Sequence, residues 1–111
     1  MKAEKESDIL RTCLKYLQIV RRWMVWRNQT GALPAVGGRF IRFGQVGSAD
    51  ILGVLPAGRA LAVETKRPGN KPTSHQAAWL AEFSRAGGLA LVVTSLDDLR
   101  RQLAEAGYSE E

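Results

Sequence analysis

Residues 47–69 read GSADILGVLPAGRALAVETKRPG. Two apolar runs, one following Asp50 and one leading into Glu64, are joined by Pro56, Ala57 and Gly58. A proline and a glycine at that spacing make a tight connection. DILGVL and ALAVETK (Ala60–Lys66) therefore read as neighbouring antiparallel strands. The pairing carries Asp50 to the side of Glu64. Side chains alternate along a strand, so Glu64 and Lys66 share a face and Thr65 is expected to turn away. Charged groups are costly beside a buried sheet, yet two acids and a lysine converge there.

The flanks complete an α/β pattern. Upstream, Leu10, Leu14 and Leu17 share a helical face with Ile9, Cys13 and Val20 nearby, which predicts a helix over about Lys2 to Val20. Glu6 lies four residues before Leu10 and belongs to its inward face. WMVWRNQ (Trp23–Gln29) reads as a strand, and TGALPAVGG (Thr30–Gly38) as a loop, by its glycines and proline. Phe40, Ile41 and Phe43 read as a short strand or the lip of a cleft. Downstream, RPGNKP (Arg67–Pro72) is irregular, and Thr73 or Ser74 caps a helix to about Ala86, ended by Gly87 and Gly88. LALVVT (Leu89–Thr94) is a continuous apolar run, expected of a strand covered on both faces. Ser95 caps a last helix, stopped by Gly107, with Asp97 and Asp98 suiting the helix dipole. A helix between strands of one sheet implies a right-handed crossover, so the fold is a small mixed sheet flanked by helices.

Composition bounds the function. The chain has 111 residues, 45% of them hydrophobic, enough for one compact domain with a core. Sixteen Lys and Arg against eleven Asp and Glu give a net charge of +5, which favours polyanions such as nucleic acid. The single cysteine, Cys13, excludes an intrachain disulfide and reads as a small buried hydrophobe in a reducing compartment. No signal peptide and no membrane span are expected. His75 is the only histidine, which leaves little material for a histidine triad or a His-rich zinc site.

Two carboxylates a few ångströms apart repel unless a cation intervenes. Mg²⁺ or Mn²⁺ takes oxygen ligands of this kind and keeps positions for water and phosphate. Asp50 and Glu64 are the expected metal ligands, with the Thr65 backbone carbonyl as a further one. Lys66 would orient water and offset charge on a phosphodiester undergoing hydrolysis. The alternative for an acid-x-Lys set is a structural ion pair. The strand context, the preceding Asp50 and the basic loop that follows favour the metal site.

These residues resemble the PD-(D/E)xK nuclease superfamily, and more narrowly the VRR-NUC (virus-type replication-repair nuclease) family. The resemblance rests on GSADILG, AVETKRPGNKPTSHQ, GGLALVVTSLDDL and ESDILRTCLKYL, and spans about Glu6 to Leu103. Ala49 stands where the superfamily commonly has proline. The resemblance implies a restriction-endonuclease-like core (αβββαβα) in residues 1–111 and a Mg²⁺- or Mn²⁺-dependent DNA endonuclease. Some small relatives are homodimers acting on four-way (Holliday) junctions. Stand-alone members imply a bacterial or phage-infected cytoplasm. The resemblance makes Asp50, Glu64, Lys66 and Gln76 the catalytic set. Gln76 shares a helical face with Leu80 and Phe83; its alternative is a bond to local backbone at the helix start. Glu6 either touches the metal through water or forms a salt bridge with Lys66 or Arg27.

Arg67, Lys71, Arg39 and Arg42 flank the site and read as a rim for the DNA backbone. Arg27 and Asn28 lie where they could enter the cleft. Arg100 and Arg101 read as a solvated face, and Trp23, Trp26 and Trp79 as core or interface. Two rival functions stand beside the junction nuclease: a restriction-like or flap nuclease of the same superfamily, and a non-catalytic basic DNA-binding module.

Overall fold

The structure, a computed structural model, describes residues 4–110. The two strands of the 47–69 stretch are β4 (Ile51–Val54) and β5 (Ala60–Thr65), antiparallel, with Ile51 opposite Val63 and Val54 opposite Ala60; in chain order they follow β1 (Met24–Arg27), β2 (Gly31–Pro34) and β3 (Phe40–Phe43). One 3₁₀ turn, Pro56–Gly58, joins β4 to β5, and the Leu55 N–H donates to the Arg59 carbonyl at 2.7 Å. Strand β1 pairs antiparallel with β4, and β6 (Leu89–Val93) pairs parallel with β5, giving the order β1-β4-β5-β6. A parallel pair needs a crossover, and α2 (Ser74–Arg85) supplies it. Gly53 lets β1 approach β4: a Cβ there would sit 2.6 Å from the Met24 carbonyl oxygen.

Helices cover both faces of this sheet. On one face Ile51, Leu61, Val63, Leu91 and Val93 pack against Ile9 and Cys13 of α1 (Glu6–Lys15) and Leu99 and Leu103 of α3 (Leu96–Glu105). On the other, Leu52, Ala62, Ala90 and Val92 meet Trp79, Leu80 and Phe83 of α2. This is the α/β architecture expected, compatible with a restriction-endonuclease-like core. The apolar character of β6 follows from its place between these two layers. Cys13 is fully buried, and burial, with Glu4 and Asp98 nearby, pushes its thiol up to about 12, so it is inert packing.

Local signals act as the sequence predicts at α2 and α3. Thr73 caps α2, and the Ser95 hydroxyl accepts from the Asp98 N–H at 3.0 Å. The first helix reaches Val20 as predicted, but its last turn differs: α1 ends at Lys15 and a π-helical segment follows over Tyr16–Val20. Lys2 and Ala3 lie outside the described residues.

TGALPAVGG is not all loop. Residues of β2 pair antiparallel with β3, Leu33 opposite Ile41. Gly37 and Gly38, at φ +84° and +76°, turn the hairpin. Glycine and proline hid the strand because they break the usual alternation, yet proline is tolerated at a strand edge. This arm forms its own two-stranded sheet, and every residue of β2 is exposed. The radius of gyration is 15.0 Å, against about 13 Å for a compact chain of this length.

Candidate active site

The site forms where β4 begins and β5 ends. Asp50 lies one residue outside β4, so strand alternation does not dictate its direction. Its Oδ2 accepts from both the backbone N–H and the hydroxyl of Thr65, each at 2.8 Å. Thr65 therefore does not simply turn away, as alternation alone predicts: its hydroxyl reaches back to Asp50. Glycine shapes the preceding loop. Gly47 has φ +81°, and a Cβ there would sit 2.7 Å from the His75 carbonyl at the start of α2. The imidazole of His75 is exposed.

Glu64 and Lys66 are buried at the end of β5, with Glu64 only 1% exposed. Neither carboxylate oxygen of Glu64 has a hydrogen-bond partner among the described residues. Lys66 Nζ lies 3.6 Å from Glu64 Oε2, too far for a hydrogen bond and close enough for partial charge compensation. Burial first, and then the negative charge of Asp50, push the Glu64 carboxyl up to about 7, although Lys66 pulls it down. A buried acid without a donor is an unfilled requirement, one that a cation meets.

Glu6, on the first turn of α1, joins this pair. One carboxylate oxygen each from Glu6, Asp50 and Glu64 lies within 4.8 Å of the others. Three hard oxygen donors in that space suit a divalent cation such as Mg²⁺. Among the described residues Glu6 forms no salt bridge with Lys66 or Arg27.

The structure gives Gln76 a more local place than the catalytic expectation did. Its Oε1 accepts from the Thr73 N–H at 2.9 Å, while the Thr73 hydroxyl accepts from the Gln76 N–H at 3.2 Å. This is a capping box, which satisfies two otherwise orphaned backbone donors. Gln76 also lines a cleft of about 360 Å³ with Asp50, Ser48, Arg27 and Asn28, so capping and cleft lining coincide in one side chain.

Asn28, expected only as a residue that could enter the cleft, lines it and also ties down the Asp50 segment. Its N–H donates to the Asp50 carbonyl at 2.7 Å, and its side-chain amide donates to Ser48 Oγ at 2.7 Å and the Ala49 carbonyl at 2.9 Å. Asn28 thus holds the chain on either side of Asp50. The only sequence signal is an asparagine at a strand exit; the β1–β4 register that sets it opposite Asp50 is a tertiary fact.

The expected basic rim, Arg27, Arg39, Arg42, Arg67 and Lys71, is exposed, and none of the five has an acidic partner among the described residues. On α3, by contrast, Arg100 pairs with Glu110 at 2.8 Å and Arg101 pairs with Asp98 and Glu105, the solvated face the sequence predicts. Trp79 stacks on Phe83 and Trp23 packs edge-on to Tyr108, whereas Trp26 remains 44% exposed.

The model of the VRR-NUC domain matches residues 4–97. The chain belongs to the VRR-NUC family. It is also 30% identical over 84 residues to the protein named "Putative nuclease p44" of Acyrthosiphon pisum secondary endosymbiont phage 1, covering 73% of this chain and 90% of the phage protein. The VRR-NUC match takes in Glu6, Asp50, Glu64, Lys66 and Gln76, so the residues gathered around β5 all lie inside it. No helix among the described residues is long and apolar enough to cross a membrane.

Proposed function

We propose that this VRR-NUC domain is a Mg²⁺- or Mn²⁺-dependent DNA endonuclease. The observation that carries the reading is the buried, unpartnered carboxylate of Glu64, within 4.8 Å reach of Asp50 and Glu6 and 3.6 Å from Lys66. Asp50, Glu64 and Glu6 would hold the ion, with the Thr65 backbone carbonyl as a further donor. When bound, the ion supplies Lewis-acid polarisation of the phosphodiester and activation of water. Lys66 then places a positive charge beside the reacting phosphate, where it offsets developing negative charge. Gln76, whose Oε1 is held in the cap, keeps its amide N–H groups for a phosphate oxygen or a water. Arg27, Arg39, Arg42, Arg67 and Lys71 contact the DNA backbone without reading sequence.

The substrate proposed is branched DNA, such as a four-way junction, cut by a homodimer. A junction has approximate two-fold symmetry, and a C2 dimer presents two matched sites to it. The exposed apolar arm supports a second copy as partner: Leu33 and Ile41, paired across the hairpin on one face, are 58% and 60% exposed, and Phe40 on the opposite face is 68% exposed. The compartment proposed is the cytoplasm of a bacterial or phage-infected cell, in keeping with the lone buried Cys13 and the phage relative.

The test is cleavage of labelled four-way, flapped and linear DNA of matched sequence with Mg²⁺ or Mn²⁺. Asp50→Ala and Lys66→Ala are expected to lose cleavage of the junction while retaining binding. Equal cleavage by wild type and both variants sinks the assigned site. Preferential cutting of flaps favours the restriction-like or flap alternative, and binding with no cleavage by wild type favours a recruiting module.

A further inference from the structure

We infer that Thr65, the residue between the acid and the lysine of β5, is a positioning residue that aims Asp50 at the ion; the inference rests on the metal site proposed above. Thr65 is fully buried at the last position of β5. Its backbone N–H and its hydroxyl both donate to the same oxygen, Asp50 Oδ2, each at 2.8 Å. Among the described residues Asp50 Oδ1 receives no hydrogen bond, so the clamp leaves one oxygen free to act as a ligand.

Two donors achieve what one does not. The terminal torsion of an aspartate is broad, so a single hydrogen bond to Oδ2 leaves the carboxylate plane free to turn. A second donor from a different direction restricts that turn. The residue type follows: the position needs a β-branched side chain that suits a strand and a hydroxyl that reaches back across the strand end. Valine supplies the first and serine the second; threonine supplies both. Partners of this kind hold a ligand in its productive orientation, and their loss typically weakens metal binding about 10–100-fold.

The experiment is calorimetric titration of Mn²⁺ into metal-free wild type, Thr65→Val, Thr65→Ser and Asp50→Ala, with the metal-free melting temperature of each. Thr65→Val is expected to weaken Mn²⁺ binding about 10-fold or more, and Thr65→Ser to stay within about 3-fold of wild type. A structural role alone would lower the melting temperature without moving the affinity. Wild-type affinity in Thr65→Val, with weak binding by Asp50→Ala, overturns the inference and spares the metal site. Wild-type affinity in Asp50→Ala overturns the site and the inference with it. Should Thr65→Val fail to fold, Thr65→Ala takes its place in the same comparison.

Discussion

The end of β5 and the β2–β3 arm invert the usual rule in opposite directions. At β5, Glu64 and Lys66 are buried. On the arm, Phe40 and Ile41 stand 68% and 60% exposed. The two regions differ in support. The β5 strand lies between two paired neighbours and under helices on both faces, so the sheet can hold charged groups that it does not stabilise. The arm touches little of its own chain, and an isolated two-stranded hairpin is marginal in water. A departure held in the core fits chemistry. A departure held out in solvent fits a partner.

The strongest way to break that comparison is at Glu64. Glu64→Gln keeps the shape and removes the charge. It is expected to lower cleavage by about 10²-fold or more while leaving the metal-free protein as stable as wild type or more so. Retained cleavage would mean the buried acid serves packing only.

The second test is pH. The Glu64 carboxyl sits at about 7 in the folded protein instead of the ordinary 4.5. Between those values the folded chain holds a proton that the unfolded chain has released. Stability of the metal-free protein therefore falls as pH rises through this window, by about 3 kcal/mol once above 7. Melting of wild type and Glu64→Gln in chelator, from pH 5 to 8, should show a gap that opens with rising pH. Parallel curves would contradict the burial argument.

The third test addresses the arm. Phe40→Ser combined with Ile41→Ser is expected to leave the far-ultraviolet dichroism unchanged and to halve the mass in light scattering. A monomeric wild type would remove the second copy as partner and leave the apolar arm without this explanation.

The smallest effect concerns the rim. Arg39→Ala and Arg42→Ala should each reduce the slope of log affinity against log salt by about 1, with no change in sequence preference. An unchanged slope would place the arm away from DNA.

Much of this contrast was legible in residues. Pro56 to Gly58 predicts the β4–β5 turn, Thr73 and Ser95 the helix starts, and LALVVT the strand between two helical layers, because these signals are local. Asp50, Glu64 and Lys66 stood out because charged residues interrupt apolar strands. Of the arm, β3 is legible in Phe40, Ile41 and Phe43, but β2 is not, because Gly31 and Pro34 resemble loop punctuation and a hairpin exposed on both faces shows no inside–outside alternation. Asn28 reads from the sequence only as a residue that could enter the cleft; its hold on the Asp50 segment depends on register alone.

The sequence by itself determined which charged groups the chain carries at this sheet end and which strands bring them together, since period-2 alternation and turn residues act over a few positions. Only the tertiary structure decided how the groups meet. It brought Glu6, 44 positions before Asp50 in the chain, within reach of the acids, because α1 packs on the face of the sheet that ends there. It also turned Thr65 from a residue expected to face away into the clamp on Asp50. Alternation governs side chains inside a strand, and Asp50 lies one residue beyond it.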